Sequence, residues 1–212
     1  MRWIGCTIPP SADLAEVESE LAAFTALPRQ ANIAALEQAE WRGRGVRLAF
    51  ETCDGGCAAD HCGSLGGFAP LTEGRVGEII AHALCGVAHA HAHGVALGCI
   101  SPFNLVFRAW TEGAQLALVG WTPLGELTTS SRAGLECVAP ELLDAHVARY
   151  SPPSTMRTAA GDMWSIGVIL YILLTGHPPF DGIDDKAIIK KVRHGKFDME
   201  IMDELDISLE AQ

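Results

Sequence analysis

The segment from Asp162 to Pro179 constrains this chain more than any other. Val168-Ile169-Leu170-Tyr171-Ile172-Leu173-Leu174 is an unbroken apolar run, preceded by Asp162-Met163-Trp164-Ser165-Ile166-Gly167 and followed by Thr175-Gly176-His177-Pro178-Pro179. A helix that is apolar on nearly every face is buried all round. Asp162 is expected to cap its start, because a carboxylate accepts from the exposed amides of a first turn. Gly176 ends it, and the two prolines cannot continue it. The apolar stretch is about a dozen residues, well short of the about 20 that a membrane span needs. The expectation is therefore a helix at the centre of a packed domain.

The rest of the composition agrees with a packed domain. A chain of 212 residues with 49% hydrophobic residues can bury a real core and forms one domain, at most two. There are 15 basic residues against 26 acidic ones, a net charge of -11. That balance argues against nucleic acid and against an anionic membrane as the main partner. Much of the acid falls near the end, where Asp198, Glu200, Asp203, Glu204, Asp206 and Glu210 follow Lys196 without a base; this reads as a solvated, poorly packed tail. The start, Met1 to Cys6, lacks the long apolar core of a secretory signal. Seven irregularly spaced cysteines do not read as a disulfide framework, so a reducing, cytoplasmic setting is expected.

Periodicity supplies the other elements. Arg2 to Ile8 reads as a strand. Asp13 with Glu16 is a capping-box start, and Leu14, Val17, Leu21 and Phe24 then repeat on one helical face. Asn32 to Trp41 and Val46 to Glu51 read as strands, with a turn at Asp54-Gly55-Gly56. A long helix opens at Leu71-Thr72-Glu73 and buries Val76, Ile79, Ile80, Ala83, Leu84 and Val87. Two short strands, Leu105 to Phe107 and Leu116 to Val119, flank a turn. Residues 120–141 and 150–161 read as loops, and an amphipathic helix from Asp184 to Arg193 stops at Gly195. No internal repeat is present.

This order, with its motifs, resembles the protein kinase family, and within it the calcium/calmodulin-dependent or calcium-dependent protein kinases. Asp162-Met163-Trp164-Ser165-Ile166-Gly167-Val168 and Gly176-His177-Pro178-Pro179-Phe180 look like the central helix of the kinase large lobe. Ala139-Pro140-Glu141 repeats the family's motif unchanged, and His91-Ala92-His93-Gly94-Val95 matches the lead-in to the catalytic loop. Asn32-Ile33, the pair Phe50-Glu51 (gatekeeper and first hinge residue) and Gly55-Gly56 fall in the family's order. The resemblance implies an α+β, two-lobed kinase fold, with residues 1–52 as a remnant of the small lobe and 53–212 as part of a mostly helical large lobe. It implies truncation at both ends.

The resemblance also shows what is missing. Phosphoryl transfer relies on positioning and charge: a carboxylate for the nucleophile, a lysine on the phosphates, and oxygen ligands for magnesium. In register with His-Arg-Asp-Leu-Lys-Pro-x-x-Asn, this chain reads Leu97-Gly98-Cys99-Ile100-Ser101-Pro102-Phe103-Asn104. The base position is Cys99 and the loop lysine is Ser101. The metal motif falls on Gly120-Trp121-Thr122, without its aspartate, and the strand lysine falls on Cys6. No lysine precedes Lys186, and no Gly-x-Gly-x-x-Gly loop exists. A thiol is a poor base for a hydroxyl and no oxygen ligand for magnesium. Asn104 remains, but one amide is not a magnesium site.

The residues that kinases use for architecture remain. Glu20 stands where the family keeps the helix glutamate that pairs with the strand lysine. Phe24, Leu36, Leu97 and Trp121 stay apolar where kinases stack side chains through both lobes. Glu141 stands where the family pairs a glutamate with an arginine of a later helix, a region this sequence does not reach. Asp162 is expected to hold the backbone of Leu97, Gly98 and Cys99. Packing kept and chemistry lost is the pattern of a pseudokinase: a scaffold or allosteric partner of other proteins, with no cofactor and no metal. The alternative implied by family is a serine/threonine kinase with residual binding of ATP and magnesium through Phe50, Glu51 and Asn104. Two other clusters carry bland readings. Cys53, Cys57 and Cys62 with His61 lack Cys-x-x-Cys spacing, so they read as hinge and small-helix residues rather than a zinc site. Of His89, His91 and His93, only the first and last share a helix face, so the group reads as structural. Cys99 has no evident triad partner and reads as a buried loop cysteine. Thr128 to Ser131 could take phosphate, but the arginine that would receive it is Gly98 here, and a plain loop is expected.

Overall fold

Three strands, β1 (Arg2–Thr7), β2 (Leu36–Arg42) and β3 (Gly45–Phe50), form an antiparallel sheet in the order β1-β3-β2. The register pairs Arg2 with Phe50 and Thr7 with Gly45, and β2 slips once between Leu36 and Gln38. These coordinates are a computed structural model that describes residues 2–7, 13–43, 45–61, 71–98, 100–109, 111, 113–119, 134–143, 157–197 and 199–208. Against the sheet lies α1 (Leu14–Thr25), capped as expected by Asp13, whose carboxylate accepts from Ala15 N at 2.9 Å. Its apolar stripe serves two cores. Val17 and Leu21 pack with Val46, Leu48 and Phe50, whereas Phe24 joins the larger cluster beyond the sheet.

The larger cluster is mostly helical. It is built from the short α2 (Ala58–His61), the long α3 (Glu73–Ala92), the hairpin of β4 (Leu105–Phe107) with β5 (Leu116–Leu118), two single 3-10 turns (Leu135–Cys137 and Pro140–Leu142), then α4 (Ala159–Thr175), α5 (Asp185–His194) and α6 (Glu200–Glu204). Asn32 to Ala34 stitches the two regions together. Ala34 N donates to Leu118 O, Leu118 N to Asn32 O, and the Asn32 amide to Leu116 O at 2.8 Å. The strand expected from Asn32 therefore begins only at Leu36, because the preceding backbone groups are spent on β5 instead.

The central helix is where its apolar run placed it, with Ile169 and Leu173 fully buried. Its start differs from expectation. Thr158 is the cap, its hydroxyl accepting from Gly161 N at 3.0 Å, and Asp162 N already donates to Thr158 O within the helical ladder. Asp162 is one turn inside, and its carboxylate is turned toward another segment. The end is as expected: Gly176 takes φ 76, a left-handed conformation that a Cβ would strain, and its N–H closes on Ile172 O at 2.8 Å.

The acidic end also differs. It is packed through Ser208, not loose. Met202 and Ile207 enter the core, and Ser208 donates from N and Oγ to the Glu73 carboxylate at 2.8 and 2.7 Å. Single apolar residues among carboxylates suffice to bury one side of this segment. Among the described residues no helix is long and apolar enough to cross a membrane.

Candidate functional site at the loop above the central helix

Asp162 is the anchor of the site. It is 0% exposed, and three donors converge on its carboxylate. Leu97 N reaches Oδ2 at 2.8 Å, Gly98 N reaches Oδ1 at 2.5 Å, and His91 Nε2 lies 2.7 Å from Oδ2. A buried carboxylate is tolerated when its lone pairs are met in this way. The residues immediately before the loop are thus fixed from beneath by the helix, as the sequence led us to expect for Leu97 and Gly98. Cys99 lies outside the described residues.

The next turn closes on itself. Asn104 Oδ1 accepts from Ser101 N at 3.0 Å and from Ser101 Oγ at 2.7 Å, while its Nδ2 donates to Val119 O at 3.0 Å. Both residues are buried. An amide oxygen has two lone pairs, and here both point at Ser101. Nothing remains on that oxygen for a magnesium ion, so the residues present do not fit the metal that the fold family implies. The described part of the loop, Leu97, Gly98 and Ile100 to Asn104, holds no ionisable side chain.

The hinge residues are occupied with structure as well. Phe50 is buried in the small core. Glu51 accepts from Ala35 N at 3.1 Å and pairs with Arg108 at 2.8 Å, and Arg108 also holds Ala31 O. Burial pushes the Glu51 carboxyl up, but the bonds from Arg108 and Ala35 and the charges of Arg108 and Arg29 outweigh it, so the group sits below the usual carboxylate range.

Glu20 does not face an empty space. Its Oε2 lies 3.4 Å from Arg157 Nη1, and the side chains of Arg157 and Glu20 are 2% and 10% exposed. Arg157 crosses the loop at Gly98, which has φ 74. A Cβ built on Gly98 would overlap Arg157 Cδ and stand 2.5 Å from its Cγ. Sequence reasoning placed Glu20 but missed Arg157, since a pair so far apart in the chain leaves no periodic trace.

The remaining expectations divide by position. Phe24 and Leu97 are buried in one core with Leu36 packed against it; Trp121 lies outside the described residues. Glu141 is exposed and makes no ion pair among the described residues. The Cys6 main chain pairs with Val46 in the sheet. Gly120, Cys62 and Thr128 to Ser131 lie outside the described residues. Each of the three clustered histidines has a structural contact: His89 donates to Pro28 O, His93 to His89 O, and His91 to Asp162. Burial raises the thiol pKa of Cys53, of Cys57 (to about 11, with the Asp60 carboxylate adding to it) and of Cys137. None of these three is a thiolate at neutral pH.

A three-stranded sheet with one long helix, set on a helical core whose central helix grips a loop through a buried aspartate, defines the protein kinase fold. The family model described as protein kinase domain matches residues 10–211, and the chain belongs to the protein kinase family. Calcium-dependent protein kinase 12 of Arabidopsis thaliana is 31% identical over 195 residues, covering 89% of this chain and 37% of that protein. Calcium-dependent protein kinase 9 of Oryza sativa subsp. japonica is 29% identical over 193 residues, covering 90% and 32%. The chain thus spans about a third of the length of these relatives. The crystal structure of Rad53 1-466 in complex with AMP-PNP superposes with a TM-score of 0.72 at 22% identity, covering 93% of this chain and 48% of that one. At that identity the likeness is one of fold.

Proposed function

We propose that this domain keeps the kinase frame without the phosphotransfer, and acts by binding other proteins as a scaffold or allosteric partner. The observation that carries this reading is the closed turn at Asn104. In the family's register that amide serves magnesium, and here its oxygen is filled by Ser101 N and Oγ. Catalysis of phosphoryl transfer is almost entirely positioning and charge. A loop whose described residues carry no charge, beside an amide already spent, supplies the positioning without the charge. The acidic balance favours protein partners over nucleic acid or an anionic membrane, and seven irregularly spaced cysteines suit a reducing cytoplasm.

The test is a phosphotransfer assay of the purified chain with ATP, magnesium and a generic protein substrate. No turnover above the blank is expected. Turnover that Asn104→Ala abolishes would sink the proposal and restore the family's activity.

A further inference from the structure

We infer that Glu20 and Arg157 form an internal latch that fixes α1 onto the helical core, and that the latch exists because position 98 has no side chain. The inference goes beyond the proposed function and does not depend on whether the chain binds nucleotide.

Three observations converge. First, Arg157 and Glu20 are opposite charges 3.4 Å apart with side chains 2% and 10% exposed. A guanidinium that deep is tolerated beside a counter-charge, and removing that charge raises the cost of its burial. Second, the path of Arg157 is specific. Its Cγ and Cδ run over Gly98 where any Cβ would collide, and Gly98 N is pinned at 2.5 Å by Asp162 Oδ1, so the loop cannot withdraw. The left-handed φ of 74 adds a second reason for glycine there. Third, α1 is divided between two cores: Val17 and Leu21 belong to the sheet and Phe24 to the larger cluster. Its orientation is therefore the joint between the two regions, and the latch acts on that joint. An arginine that leads into α4 thus ties the α1 glutamate to the loop. The ion pair holds the two regions in one arrangement from inside the protein.

Hydrogen exchange on the intact chain tests this, reading the amides of residues 14–25 against those of α3 and α4. Glu20→Gln and Arg157→Leu should each speed exchange across α1 by about a hundredfold or more, with α3 and α4 still protected. The double variant should exchange no faster than the worse single, because the two side chains act as one unit. Gly98→Ala should speed α1 in the parent, and should have no further effect on α1 in an Arg157→Ala background, which lacks the colliding Cγ and Cδ. Unchanged α1 exchange in the single variants, or effects of Glu20→Gln and Arg157→Leu that multiply, would overturn the latch. If Arg157→Leu abolishes protection in α4 as well, Glu20→Gln, which removes the charge and preserves volume, decides between the same outcomes.

Discussion

Asp162 shows how much one buried side chain can organise. Three donors share its carboxylate, and two of them are buried backbone amides. Asp162→Ala should lower stability by about 3 kcal/mol or more, since bonds to a charged group contribute about 1.5–3 kcal/mol each. Denaturant titration followed by tryptophan fluorescence measures it. Its fold-level role was legible in the sequence, from the Asp-x-Trp-Ser-x-Gly pattern. Its local role was misread, because an aspartate near a helix start satisfies the capping rule whether or not its carboxylate is needed elsewhere. Here Thr158 does the capping and Asp162 is free to serve the loop. Glu136 offers a second residue-scale test. Burial pushes its carboxyl pKa up, and the charge of Asp181 adds to this against two backbone hydrogen bonds. A carboxyl raised in the folded state contributes stability that is complete below its unfolded pKa and is lost as pH rises through the folded value. Glu136→Gln should therefore raise Tm relative to the parent at pH 7, and the gain should vanish near pH 4.

Among the elements, α4 was the most legible and the acidic tail the least. An apolar run with a glycine stop has few alternatives to a buried helix. Gly176→Ala should cost about 1–2 kcal/mol through its left-handed φ, read as a lowered denaturation midpoint. The tail misled because periodicity needs several apolar positions, whereas Met202 and Ile207 each enter the core singly. Its fastening is the pair of bonds from Ser208 to Glu73. Those bonds hold the Glu73 carboxyl below its ordinary range. A depressed carboxylate contributes at neutral pH and loses that contribution as pH falls through its folded pKa. Limited proteolysis should cut after residue 204 faster in Glu73→Ala than in the parent at pH 7, and the two rates should converge below pH 4. The hairpin and the α1 cap were read correctly because both rest on contacts a few residues apart. Asn32 to Ala34 was read as strand, because nothing local reveals that its backbone pairs with β5.

At the scale of the whole molecule, the sequence revealed a frame and a gap, and the structure adds how the gap is closed. Ser101 and Asn104 turn inward on each other, and Arg157 lies over Gly98. A ligand present at 100 times its Kd stabilises a protein by about 2.7 kcal/mol, so thermal shift is a sensitive test of the nucleotide cleft. ATP should leave Tm unmoved, and magnesium should make no difference. A shift that requires magnesium would favour the alternative of a weak kinase. The order of elements was legible because each carries its own period. The inward turn was not, although its partners are three residues apart, because an asparagine in a loop carries no sign of which donor its oxygen takes; the buried pair was not, because charges so far apart in the chain leave no pattern in a single sequence.

The crossing of Arg157 over Gly98 also bears on reversibility. A side chain placed at position 98 would meet an occupied space, so the arginine that the family resemblance puts in this register cannot be introduced by one substitution. Gly98→Arg alone should unfold or loosen the chain, and only removal of Arg157 first would make room for it. The two positions impose an order on substitution: position 98 can be enlarged only after position 157 has been shortened.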